Sequence, residues 1–505
     1  MRNEKIEGGR WKVEDRLAAG FFSRGTKRTA VRLALGLCLG VVSTLWAEEL
    51  WVHPSKMAVP PLVLTPPKAE RVVLENGMVV HLLEDHELPI VRVSATVKAG
   101  SWLDPDEKLG LAEIAGAVMR TGGTRSMTGD DMNETLEFMA AGVETSIGSR
   151  SGGASLDVLA KDLDAGLKIF SEVLMFPAFA ADKVELRKKQ VMEGIRRRND
   201  EPGPICAREF GKVLYAGHPF GRVNSLDTVD RITRDDLVAF HKKYFFPNNL
   251  IVGVAGDFKR DELLSKLKAL FSDWPKGQPP ADPPDVPFDP KAGVYFVEKD
   301  VPQASIRIGH LGIKKSDPDY FAIDVMNFIL GGSGFTSRLM REIRSNQGLA
   351  YSVGSYFSAG QELGSFGMVC QTKSSTTARC IEEMKKLAAQ LTSEPVTEEE
   401  LKIARESILN SFVFEFQSSG QIVGQAVSLE YNKLPPDYLQ IYKEAISKVT
   451  AADILRVAKK HLLSDRQTVT VVGKAADFDK PLSTFGPVKV LPLEDFSEFD
   501  KKHKN

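Results

Sequence analysis

The sequence predicts an α+β protein built from two duplicated domains, each a mainly antiparallel sheet flanked by helices. Three observations carry that prediction. Strand-like stretches are grouped, and the helices mixed among them do not alternate one for one, as a doubly wound parallel sheet would require. A helix–strand unit occurs twice: "ITRDDLVAFHKKYFFPNNLIVGVAG" (Ile232 to Gly256) aligns without a gap on "VTAADILRVAKKHLLSDRQTVTVVG" (Val449 to Gly473), an offset of 217 residues. Thr233 meets Thr450, Asp236 meets Asp453, Lys242 and Lys243 meet Lys459 and Lys460, and Gly256 meets Gly473. So long a period means duplicated domains, not a solenoid. Between the copies lies "WPKGQPPADPPDVPFDPKAG", Trp274 to Gly293, with seven prolines. Such a stretch can neither pair in a sheet nor continue a helix, and it reads as an extended connector.

In chain order, residues 1–47 read as a signal peptide or membrane anchor. A basic stretch ending at Lys27, Arg28 and Arg32 precedes a 15-residue apolar run, Leu33 to Ala47, followed at once by Glu48 and Glu49. That run suits a signal-peptide core better than a membrane span of about 20 residues. An uncleaved anchor is the competing reading, and membrane association would then run through this segment. Leu37 before Cys38 lacks the small residue a lipidated cysteine requires. Residues 48–67 form an N-terminal extension, 68–273 the first domain, 274–293 the connector, 294–488 the second domain and 489–505 a tail. Within the first domain, "RVVLENGMVVHLLEDHELPIVRVSATVKAG" gives a strand pair turned at Asn76-Gly77 and a third strand from about Val91. "DDMNETLEFMAAG", "LDAGLKIFSEVLMF" and "DKVELRKKQVMEGIRRRND" are helical by apolar spacing. The second domain has strands near Val294 to Val297 and Ala304 to His310, then helices from about Asp319 and Glu398.

Composition excludes several functions. With 43% apolar and 26% charged residues among 505 the chain is an ordinary globular protein, too long for one core. Without the first 47 residues, 57 basic and 63 acidic residues remain, a net charge of −6, and nothing suggests nucleic acid. Beyond the leader stand Cys206, Cys370 and Cys380, with no C-x-x-C pair. They make neither a disulfide framework nor a zinc–thiolate site and read as buried small apolar residues.

Four strings in order, "GLAEIAGAVMRTGGT" (Gly110 to Thr124), "HPFGRVNS", "YFFPNNLIVGVAGDF" and "LGGSGFTSRLMREIRSNQGLAYSV", resemble the pitrilysin/insulinase zinc peptidases, most closely their bacterial, mitochondrial-processing-peptidase-like branch. The likeness runs from about residue 68 to 488 and implies two such domains arranged as a clamshell. Peptide-cleaving members carry H-x-x-E-H on a first-domain helix and a further glutamate on a later helix. Positions i and i+4 share a helix face, so both imidazoles reach one ion while the glutamate activates the bound water. Matching the surroundings puts Glu113 at the first histidine, Gly116 at the glutamate, Ala117 at the second histidine and Gly194 at the distant glutamate. All four are changed. The eight histidines are scattered, and His81 and His86, five apart, face opposite sides if their strand continues. Glu113 and Glu193 without imidazole make a poor zinc site. No metal and no catalytic residue of its own are expected in this chain. Glu113 reads as a solvated helix residue; Gly116, which costs a helix up to about 1 kcal/mol relative to alanine, is either a point of close packing against a neighbour or a residue with no such role, and the sequence does not choose between them.

In the second half the resemblance implies an arginine and, seven residues later, a tyrosine that hold the substrate backbone and the developing oxyanion. "RSNQGLAY" supplies both, as Arg344 and Tyr351. A helix from about Ser337 carries Arg344, Gly348 permits a left-handed turn, and a strand starts at Ala350. A guanidinium and a phenol suit a carbonyl oxygen gaining negative charge; the alternative is an ordinary surface arginine and half-buried tyrosine. Gly331, Gly332 and Gly334 lack the lysine of a phosphate loop. The resemblance implies a flexible loop beside the cleft, against a plain turn into a helix. His218 in "HPFGR" reads as part of a packed turn.

These readings imply a non-catalytic subunit of a heteromeric metallopeptidase. A related partner with an intact H-x-x-E-H would bring the zinc, this chain would supply Arg344, Tyr351 and part of a chamber, and a peptide or unfolded protein would be the substrate. The alternative is a peptide-binding or scaffold protein with no role in proteolysis. Either would be exported, periplasmic or anchored facing the periplasm.

Overall fold

The computed structural model describes residues 67–288 and 292–503. The leader or anchor expected over 1–47, and nearly all of the extension after it, lie outside the described residues. The Asn76-Gly77 turn forms as predicted: Gly77 has φ +84°, and β1 (Glu70–Val73) pairs antiparallel with β2 (Val79–Glu84). In β3 (Ile90–Val97) Val91, Val93, Ala95 and Val97 are buried in alternation, the mark of one face turned to a core. Next come α1 (Leu111–Thr121), α2 (Gly129–Phe138), β4 (Gly142–Ile147), β5 (Gly152–Leu159), α3 (Leu163–Met175), α4 (Ala181–Arg197) and α5 (Pro202–Leu214). The first half ends with α6 (Leu226–Asp230), α7 (Arg234–Tyr244), β6 (Leu250–Gly256) and α8 (Arg260–Phe271). Its six-stranded sheet runs β1-β2-β6-β3-β5-β4.

The second half repeats the plan with β7 (Gly293–Glu298), β8 (Gln303–Leu311), the short β9 (Ile313–Lys314), α9 (Tyr320–Asn327), β10 (Ala350–Phe357), β11 (Ala359–Gly360) and β12 (Ser365–Lys373). Then follow α10 (Thr377–Ser393), α11 (Glu398–Ser411), α12 (Ser419–Tyr431), α13 (Tyr438–Lys448), α14 (Ala451–His461), β13 (Thr468–Gly473), β14 (Val488–Val490) and α15 (Ser497–Lys502). Its sheet runs β10-β12-β8-β13-β7-β14. The repeated sequence unit is the repeated structural unit. Thr233 and Thr450 each cap a helix in a capping box closed by Asp236 and Asp453, which satisfies donors the first turn leaves free. Each helix then leads to a strand inside its sheet, β6 or β13. The parallel pairs β2·β6 and β7·β13 occupy the same place in the two sheets.

The halves exchange a helix. Ile205 and Cys206 of α5 pack on Val297 and Val472 of the second sheet, and the Cys206 thiol points at Thr470 O, 3.4 Å away. Reciprocally, Val423 and Val427 of α12 pack on Leu83, Ile251 and Ala255 of the first. A Cβ at Gly253 would stand 2.7 Å from Val423 Cγ1, so this glycine lets α12 lie close. Arg71 grips Glu430 of α12 through two bonds of 2.8 and 2.9 Å. Each exchanged helix buries apolar surface that its own sheet leaves uncovered, which couples the folding of the halves.

Residues 274–288 have neither helix nor strand, and side chains hold them down: His218 contacts Pro284 O at 2.9 Å, and Asp282 pairs with both Lys98 and Lys433. Beyond β14 the chain returns to the first half, where Phe499 is buried in its core cluster and Arg196 meets Asp500 at 2.7 Å. Among the described residues no helix is long and apolar enough to cross a membrane.

Candidate functional site

The N-terminus of α1 is held from outside the helix: Asp104 accepts from Gly110 N and Ala112 N at 2.9 and 3.0 Å. Burial drives its carboxyl up to about 6 despite those bonds. Gly110 enters the helix at φ +104°, a conformation suited to glycine. Glu113 and Ala117 lie on the partly exposed face of α1, and Gly116 is buried. A Cβ on Gly116 would sit 2.4 Å from Ile147 N and 2.8 Å from Ser146 C, so α1 rests directly on the backbone of edge strand β4. Of the two readings left open for Gly116 the structure selects close packing, and no side chain fits at that position without moving a strand. On α4, Gly194 is exposed, with nothing within 4 Å of where its Cβ would be.

Glu113 is more than solvated. Arg187 of α4, two helical turns before Gly194 and on the same face, donates to its carboxylate at 3.0 Å. A guanidinium thus meets the one carboxylate at the four positions the resemblance assigns to metal binding. One paired carboxylate, two glycines and an alanine do not fit a zinc ion, which takes four nitrogen, sulfur or oxygen donors. The two histidines near each other in sequence do not converge: His81 lies buried 3.4 Å from Glu430, while β2 stops at Glu84 and exposed His86 is held by Asp257 and Glu84 at 2.6 and 2.9 Å. One group of three possible ligands occurs among the described residues, Asp317, Asp319 and His461. It is an ion-pair cluster. Burial pulls the Asp319 carboxyl up, but bonds from Lys460, His461 and Arg456 outweigh it and hold the group well below the usual carboxylate range. Its lone pairs are already spent on these three side chains.

The second half brings Arg344 and Tyr351 together. Arg338 opens the helical segment and is fixed to Glu400 of α11 by two 2.8 Å bonds; the segment then widens into a π-turn over Met340–Asn346 that carries Arg344. Gly348 takes φ +62°, the left-handed exit predicted. β10 starts at Ala350 on the open edge of the sheet, and its register slips between Ala350 and Ser352. Tyr351 is the extra residue of that bulge, which aims its side chain outward. It is 77% exposed. The Arg344 guanidinium carbon lies 5.1 Å from the Tyr351 ring centre and 5.0 Å from that of Phe335. Phe335, 68% exposed, was not singled out from sequence, although it stands inside the quoted "GGSGFTS". Among the described residues Arg344 has no carboxylate partner. A cation held between two aromatic faces with free N–H groups, beside a phenol on an edge strand, can donate to carbonyl oxygens of an extended chain.

The glycines beside this group are structural in different ways. A Cβ on Gly331 would be 2.3 Å from Ser355 N of β10, and one on Gly332 2.8 Å from Asn327 Nδ2; only Gly334, at φ +60°, is open. Gly331 is buried packing, not a free loop. His218 is buried in its turn, as expected for a packed residue.

A fold of two repeated six-stranded sheets with these positions defines an insulinase-type peptidase scaffold. Family profiles agree: residues 79–223 match Insulinase (Peptidase family M16), and residues 231–408 match the Peptidase M16 inactive domain. The chain belongs to this family. An uncharacterized zinc protease of Rickettsia felis is 24% identical over 405 residues, 79% of this chain and 96% of the relative. The non-peptidase homolog YmxG of Helicobacter pylori is 27% identical over 394 residues, 77% of this chain and 90% of that one. The crystal structure of a peptidase M16 inactive domain from Pseudomonas fluorescens superposes with a TM-score of 0.75 at 28% identity, covering 80% of this chain and 98% of that chain.

Proposed function

We propose that this chain is a pseudo-peptidase that works as the non-catalytic subunit of a metallopeptidase. A related partner with an intact H-x-x-E-H supplies zinc, and this chain supplies Arg344 and Tyr351 to grip the peptide backbone and the oxyanion that forms during cleavage. The observation that carries the reading is an asymmetry. At the metal positions Glu113 is tied to Arg187 and Gly116 is pressed on β4, whereas half-buried Arg344, on the π-turn, stands beside exposed Tyr351 on the edge strand. The name of the Helicobacter pylori relative, a non-peptidase homolog, supports the same side. Extended peptide or unfolded protein is the substrate class, because an edge strand offers backbone bonding that ignores sequence. The basic stretch and apolar run before Glu48 support a site of action outside the cytoplasm.

The test is reconstitution. The purified chain is assayed for peptide cleavage alone, then with a related subunit carrying H-x-x-E-H. No cleavage alone and chelator-sensitive cleavage by the pair are expected. An Arg344→Ala, Tyr351→Phe double variant should lower kcat of the pair about 100-fold, the scale of a lost oxyanion donor. Unaided cleavage by the isolated chain, or an unchanged rate with the double variant, overturns the proposal.

A further inference from the structure

Two of the three cysteines in the described residues, ten positions apart, are brought side by side by the fold. In β12 the residues Phe366, Met368, Cys370 and Thr372 are buried at every second position, so they share one face. A short turn, Ser374–Thr376, reverses the chain into α10, whose inward residues Thr377, Cys380, Ile381 and Met384 cover that face. The Cys380 thiol donates to the Thr372 hydroxyl at 3.3 Å. That hydroxyl is fixed in turn on Leu349 O at 2.6 Å. Cys380 therefore sits over the strand position next to Cys370 on the same face, and both sulfurs belong to one buried cluster.

The ionisation of each thiol bears the mark of the other. The bond to Cys380, followed by burial, pushes the Cys370 thiol well above its ordinary value. The same bond lowers that of Cys380. Cys206 is a contrast: it lies on α5 against Thr470 O and Arg307, with burial its dominant influence.

We propose that Cys370 and Cys380 are a disulfide site that staples β12 to α10 when the chain folds in contact with a disulfide-carrying thiol oxidant. The Cys380 thiolate attacks one sulfur of the carrier disulfide, whose S–S bond breaks and releases one carrier thiolate. The Cys370 thiolate then attacks the Cys380 sulfur, forming the internal S–S bond and expelling the second carrier thiolate. Two electrons pass from the cysteines to the carrier, and the two cysteine protons end on the two carrier thiols. Because Cys380 is fully buried and Cys370 nearly so, the carrier reaches them before α10 docks. The closed bond is afterwards shielded from reductant.

The experiment refolds the full chain from denaturant in excess oxidised glutathione, and separately in excess reduced glutathione. Each sample is then unfolded, alkylated, digested and mapped by mass spectrometry. A linked Cys370–Cys380 peptide with alkylated Cys206 is expected from the oxidised sample only. The oxidised protein should also unfold at a higher urea midpoint, and this redox-dependent difference should vanish in Cys370→Ala and in Cys380→Ala. Full alkylation of both cysteines after oxidative refolding, or a linkage through Cys206, overturns the proposal. The peptide map is read on the unsubstituted chain, so a variant that fails to fold does not shield the idea.

Discussion

Gly116 decides whether this chain could hold a metal by exchange of side chains, and a single methyl group tests it. In Gly116→Ala the new Cβ would meet Ile147 N at 2.4 Å, Ser146 C at 2.8 Å and Ile147 Cγ1 at 2.9 Å. Two of these atoms are backbone of β4, so relief requires moving a strand or the helix. Overpacking of this kind costs up to about 3 kcal/mol, and alanine returns up to about 1 kcal/mol through helix propensity. The expected net loss is about 2 kcal/mol. Gly194→Ala is the internal control: it too lies in a helix interior, but nothing stands within 4 Å of its Cβ, so it should gain up to about 1 kcal/mol. Urea unfolding followed by far-UV circular dichroism reads both, and the two identical substitutions should move the midpoint in opposite directions. If Gly116→Ala proves as stable as Gly194→Ala, the contact between α1 and β4 is not what excludes a side chain. The same contact predicts that a Glu113→His, Gly116→Glu, Ala117→His, Gly194→Glu chain binds no stoichiometric zinc by elemental analysis.

Three further outcomes follow from the contacts. Phe499→Ala removes a buried ring from the first core and should cost about 3 kcal/mol, seen as a lower melting temperature and faster proteolysis. In the Glu113–Arg187 pair both side chains are about a third or more exposed, so a double-mutant cycle with Glu113→Gln and Arg187→Met should give at most about 1 kcal/mol of coupling. His241 is driven down to about 4 by burial, against a bond to Leu174 O. Its unfolded form takes up a proton near pH 6.5 and its folded form only near 4, so the unfolded chain binds more protons in that window and stability falls as pH drops. The loss should reach roughly 3 kcal/mol. It should be absent in His241→Gln, with urea midpoints at successive pH values as the measurement.

What the sequence made legible was what neighbouring residues decide among themselves. The turn at Gly77 and the left-handed exit at Gly348 are local, because groups a few positions apart in the chain settle them. The spacing from Arg344 to Tyr351 was equally readable, since a helix end, one glycine and a strand start leave the chain few paths. Phe335 lay within the quoted motif, but its place against Arg344 depends on how the π-turn folds back.

The sequence by itself determined the repeat, the connector and the loss of the zinc ligands, since each is a matter of residue identity and short-range chain geometry. Only the tertiary structure decided that Arg187 meets Glu113 from 74 positions away and that β4 is what Gly116 touches. It alone showed that Cys380 lies over the strand carrying Cys370 and that α5 and α12 cross to each other's sheets. An apolar stripe states that a helix must bury one face, but any uncovered sheet satisfies it. Which sheet it covers is fixed by the packing of the whole chain.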